Sequence, residues 1–133
     1  MVRPGGRAVI LDTDYDSLVI HTEHEARMSR MLTAWNQHFA HAGLPRTLSG
    51  QLRDAGFTIR RRDVIPMFNP EYHKNTYGRG LLSIIASFVV GRENVSQEEA
   101  DGWLAEFAEL GKHGKFFFSL NRYLFVAEKL VAM

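Results

Sequence analysis

Three aspartates, Asp12, Asp14 and Asp16, alternate with Thr13 and Tyr15 directly after the apolar run Ala8-Val9-Ile10-Leu11. Carboxylates at the carboxyl end of a strand face the ligand crevice in open α/β sheets. There they contact a bound molecule or help to remove a proton, and Asp14 and Asp16 are the candidates for that work. Solvation of a loop is the competing use of the same residues. Tyr15, between them, stacks on or shapes a ligand, or packs. A second cluster, Phe68, Asn69, Tyr72, His73 and Tyr77, mixes aromatic rings with a few polar groups. Such a lining suits a small organic molecule. A loop that packs its own aromatics against the protein body has the same composition.

Other chemistries find less support. His38 and His41 stand three apart on an expected helix, but spacing fixes no third ligand, so they read as solvated surface and no metal is expected. The chain has no cysteine, which excludes disulfides and thiolate metal sites. Arg60-Arg61-Arg62 suggests phosphate or nucleic acid, yet alternating strand faces would split the three and the net charge is only +1. They read instead as charges that guard an edge strand. There is no Gly-x-Ser-x-Gly elbow, phosphate-binding loop or zinc signature. The longest apolar run, Leu81 to Val90, is too short to span a membrane. Pro4-Gly5-Gly6 sits where the apolar part of a signal peptide would begin. A cytoplasmic chain without nucleic-acid or membrane partners is the expectation, and 133 residues fit a single domain, 1–133.

Hydrophobic spacing supplies the elements that must hold these residues. Arg7 to Thr13 reads as a strand apolar on both faces, suited to the middle of a covered sheet, and Asp14 to Ser17 breaks it. Thr22 and Glu25 form a capping box for a helix over Glu23 to Ala42 that carries Met28, Met31, Leu32, Trp35 and Phe39. Gly43 is its expected cap. A shorter helix runs from Thr47 to Ala55, and a second strand from Phe57 to Phe68. Asn69 to Arg79 is a loop, followed by an apolar helix from Gly80 to Val90. Ser96 and Glu99 open a further helix carrying Trp103 and Phe107. Lys115 to Lys129 forms the last strand or strand pair. Strands separated by helices imply an α/β layer structure.

Arg3-Pro4-Gly5-Gly6 before a strand resembles the turn that precedes the fifth strand of class I S-adenosylmethionine-dependent methyltransferases. Leu52-Arg53-Asp54-Ala55-Gly56-Phe57 is similar to the helix end and Ala-Gly-Phe that lead into that family's sixth strand. Phe117-Phe118-Ser119 through Phe125-Val126-Ala127-Glu128-Lys129 is similar to its closing seventh strand. The three occur in family order, closest in flavour to the ubiquinone and menaquinone biosynthesis branch. The resemblance implies a partial Rossmann-like fold: a three-stranded mixed sheet in the order first, third, second, the third strand antiparallel, with about four helices. It covers the second half of the family's domain. It implies a small-molecule methyl acceptor contacted from Asp14, Tyr15, Asp16, Phe68, Asn69, Tyr72 and Tyr77. The family's donor site, a glycine-rich turn after a strand with an acidic partner for the ribose, has no counterpart here, so S-adenosylmethionine belongs to the parent family and no cofactor is expected on this chain alone. The resemblance also implies that Ala8 to Leu11 lacks its usual neighbour and forms an open apolar edge. A homo-oligomer through that strand is expected, and the alternative function is a non-catalytic module acting through self-association.

Overall fold

The structure, a computed structural model, describes residues 1–41 and 43–131. The elements are β1 (Arg7–Ile20), α1 (Glu25–Asn36), α2 (Leu44–Asp54), β2 (Phe57–Asn69), α3 (Tyr77–Val89), α4 (Gln97–Lys112) and β3 (Phe118–Lys129). The three strands form one sheet in the order β1-β3-β2. Backbone bonds tie the start of β1 to the end of β3 and the end of β1 to the start of β3, and Leu130 N–H bonds Gly56 just before β2. The central strand therefore runs antiparallel to both neighbours, and β1 and β2 run the same way. This is the α/β arrangement that the element order implies and the strand order that the resemblance implies.

Contacts divide the chain into two compact units, each built from several segments. The first comprises Met1–Leu18, His41–Pro66 and Leu120–Met133. Its core is Leu48 and Leu52 of α2, one helical turn apart, on Phe125 and Ala127 of β3, with Ile10, Phe57, Ile59 and Tyr123 packed around them. Pro45 occupies the first turn of α2, where a missing N–H is harmless. The second unit comprises Val19–Ala40 and Met67–Ser119. There α1, α3 and α4 pack on one another. Trp103, Phe107, Met31, Leu82, Ile85 and Val89 are fully buried, with Phe118 from the start of β3.

The Pro-Gly-Gly segment has a defined shape. Gly6 N–H bonds Arg3 O across Pro4-Gly5, and Gly5 has φ +77°, the geometry of a type II turn. Gly5 N–H then donates to Lys129 O while Lys129 N–H donates to Gly6 O. Two residues thus face one, a glycine bulge that seats the turn on the end of β3.

Several boundaries differ from expectation, each for a local reason. β1 does not stop at Thr13 but continues to Ile20. The Asp14–Ser17 segment bulges without ending the strand. From Gly6 to Ser17 β1 advances eleven residues, while the facing stretch of β3, Lys129 to Asn121, covers eight, so three residues of β1 leave the ladder. β1 is also covered on one face only, since Val9 is 68% exposed and Leu11 44%. α1 ends at Asn36, because His38 and Phe39 close tighter turns onto Trp35 and Asn36. The expected end of that helix at Ala42 lies outside the described residues. Gly43 begins α2 rather than capping α1, and α2 starts at Leu44, three residues early. α3 starts at Tyr77, inside the expected loop, with Thr76 capping Arg79 N–H. Ser96 caps α4 as expected through Glu99 N–H. The last segment is one strand that starts at Phe118.

Candidate functional site

In the first unit the bulge in β1 organises the aspartates. Asp14 is buried, and its Oδ1 accepts from Asp16 N–H at 3.1 Å. The Ser17 hydroxyl donates to the Asp14 carbonyl and accepts from Asn121 N–H at 2.9 Å, so side chains replace the ladder here. Arg46, in the first turns of α2, donates to Asp14 Oδ2 through Nη2 at 2.9 Å and Nε at 3.2 Å. Its Nη1 lies 3.5 Å from Asp16 Oδ2. The hydrogen bonds to Asp14 and then its charge raise the Arg46 pKa above its ordinary value, outweighing the opposing desolvation, with Asp16 adding less. Asp14, Pro45, Arg46 and Tyr123 line a small depression of about 180 Å³.

This grouping holds Asp14 and Asp16 and adds Arg46 and Tyr123. Asp14 is committed to Arg46 and to a backbone amide, which makes it a scaffold rather than a free base. Asp16, half exposed, is the carboxylate that water or a solute can reach. Two carboxylates and one guanidinium leave one net negative charge beside the Tyr123 ring. Tyr15 lies between the two aspartates on β1 and is half-buried.

In the second unit the aromatic cluster is largely built into the packing. Asn69 Oδ1 accepts from Gly78 N–H at 2.7 Å, which fixes the end of β2 to the start of α3. The Tyr77 ring lies 6.2 Å from that of Phe118. Tyr72 packs on Phe116 at 5.3 Å, with the Arg79 guanidinium 4.8 Å from its ring centre. A methyl group on Gly111 would lie 2.6 Å from Tyr72 Cβ, so only glycine at this point of α4 admits Tyr72. Phe68 stays 57% exposed, and its ring meets Phe117 at 5.4 Å.

A polar cluster that spacing does not announce lies where α1 begins. Thr22 does not cap α1 through a box with Glu25. Its hydroxyl instead sits 2.8 and 3.0 Å from the two carboxylate oxygens of Glu106 on α4. Glu106 also accepts from Glu23 N–H at 2.8 Å and from Arg27 Nη2 at 2.9 Å. Burial pushes the Glu106 pKa up, but Glu23 N–H, Arg27 and Thr22 together overcome it and hold the carboxyl below its ordinary value. A helix start 84 residues from Thr22's partner leaves no local trace in the sequence.

The remaining candidates fall at the surface. Arg60 bonds Glu128, Arg61 pairs with Asp63 on its own strand, and Arg62 bonds Ser49. His38 stacks on Trp35 at 4.8 Å. Among the described residues no group of three or more His, Asp or Glu side chains is placed to hold a metal ion, and no helix is long and apolar enough to cross a membrane. No protein-family model matches the chain, and no curated protein is significantly similar to it.

Proposed function

We propose that the chain is the acceptor-side half of a class I S-adenosylmethionine-dependent methyltransferase, a cytoplasmic transferase unit for a small molecule. The observation that supports this most is the sheet itself: order β1-β3-β2, with an antiparallel central strand. That is the order the resemblance implies for the fifth, seventh and sixth strands. The acceptor residues are Asp14, Tyr15, Asp16, Phe68, Asn69, Tyr72 and Tyr77, with Asp16 the most accessible carboxylate of the first group.

The methyl donor does not fit the residues present. A donor site of this class needs a strand, a glycine turn and a helix in succession, so that backbone N–H groups approach the cofactor. Gly5 and Gly6 form a bulge before β1, Gly78 and Gly80 lie within α3, and Gly111 and Gly114 lie at the end of α4. No catalytic step is therefore assigned to this chain alone. Titration calorimetry of S-adenosylmethionine into the chain is expected to give no binding heat, and one-to-one micromolar binding would overturn the reading.

A second reading, a module that works through self-association, is supported by Val9 and Leu11, which β1 exposes beside an unpaired strand edge.

A further inference from the structure

Which edges would meet is set by charge. The order β1-β3-β2 leaves β1 and β2 as the two edges. The β1 edge is acidic on balance: Asp12, Asp14 and Asp16 lie within five residues, Arg46 offsets one charge of the Asp14–Asp16 pair, Arg7 stands at the strand's start, and exposed Val9 and Leu11 lie alongside. The β2 edge is basic, with Arg60, Arg61 and Arg62 followed by exposed Val64 and Ile65. We infer that copies of the chain associate head to tail, the acidic β1 edge of one lying against the arginine-bearing β2 edge of the next. This rests on the self-association reading and is independent of the methyltransferase one.

Like edges match poorly. A two-fold pairing of β1 with itself centred on Leu11 sets Asp12 against Ile10 and Asp14 against Ala8 of the other copy, and its own cation, Arg7, falls against Tyr15 rather than Asp12. A β2 pair gathers six arginines, and like charges across a ladder destabilise it. The unlike edges match in direction, height and face. β1 and β2 run the same way, so β2 of one copy and β1 of the next pair as parallel strands and continue the sheet. The Gly6 level of β1 and the Phe57 level of β2 coincide across Lys129. Arg61 stands four residues beyond Phe57, and Asp12 six beyond Gly6, within reach of a long side chain. Both share the face that carries the core residues Ile10 and Ile59. Among the described residues Asp12 accepts the Thr13 N–H and meets no cation. Among the described residues Arg61, 66% exposed, pairs with Asp63 on its own strand, a surface pair worth little and readily exchanged.

A contact between unlike edges does not close on itself, so association grows beyond a dimer as concentration rises. Sedimentation velocity tests it with two edge-blocked chains, Arg61→Glu/Arg62→Glu on β2 and Val9→Lys/Leu11→Lys on β1, each checked for folding by circular dichroism. The wild-type chain at about 100 µM is expected to exceed twice its 15.2 kDa mass. Each blocked chain alone is expected to be monomeric, and their equimolar mixture to stop at a dimer, since each retains the edge the other has lost. A β2-blocked chain that still assembles overturns the head-to-tail contact and leaves self-association standing. A monomeric wild type overturns both. Should a blocked chain fail to fold, the wild type alone decides: its assembly is expected to weaken about tenfold from roughly 0.05 to 0.5 M salt, and insensitivity to salt overturns the inference.

Discussion

A half-buried carboxylate persists where donors replace the water it has lost. Glu106 meets that condition with the Thr22 hydroxyl, the Glu23 amide and the Arg27 guanidinium. Glu106→Gln keeps the shape and removes the charge, so stability at about pH 7 is expected to fall by about 1–3 kcal/mol in urea unfolding. The folded-state pKa lies below the ordinary 4.5. The charge therefore contributes fully above that value, and its contribution disappears as pH falls through the lowered one. The wild type is expected to lose stability on acidification more steeply than Glu106→Gln, the two curves drawing together as pH falls through the lowered pKa. Parallel curves would mean that the cluster does not favour the ionised form. Half of the first site was legible at this scale. The Asp-x-Asp-x-Asp spacing marks a polar turn, but Arg46, 32 residues from Asp14, becomes its partner only once α2 has packed.

Elements were legible where the pattern is local and were misplaced where side chains imitate another signal. The Asp14–Ser17 run has loop composition because its side chains accept backbone N–H groups, and those same bonds let β1 continue through a bulge. The helical spacing of Trp35 and Phe39 persists past the end of α1 because Phe39 still packs on Trp35, at 5.3 Å, from a tighter turn. The Pro-Gly-Gly turn was legible because its requirement is local: a type II turn needs positive φ at its third residue. Gly5→Ala tests this directly. The nearest atom to an added methyl group is Val131 Cγ2 at 3.5 Å, so space is available and the backbone conformation alone opposes it. A loss of about 1–2 kcal/mol is expected in thermal unfolding. No loss would mean that the turn relaxes to another type and that β1 does not depend on its seat against Lys129.

The whole molecule poses a question that neither residue nor element answers. The chain passes between its two packing units four times, and each of the three strands begins in one unit and ends in the other. Composition indicated one domain's worth of chain but not this division, because hydrophobic spacing identifies faces and not the partners that cover them. A strand shared by two cores transmits loss of order along its own backbone, so the units are expected to unfold together. Leu52→Ala probes this: Leu52 belongs to the core of the first unit, whereas both tryptophans, Trp35 and Trp103, belong to the second. Truncating a buried leucine costs about 2–5 kcal/mol. The midpoint read by tryptophan fluorescence is therefore expected to fall as far as that read by far-ultraviolet circular dichroism, although both tryptophans belong to the other unit. A fluorescence midpoint that stays in place while the dichroism midpoint falls would show that the second unit holds its part of β1, β2 and β3 without the first. The sheet would then be two shorter sheets in energy, though one in hydrogen bonding.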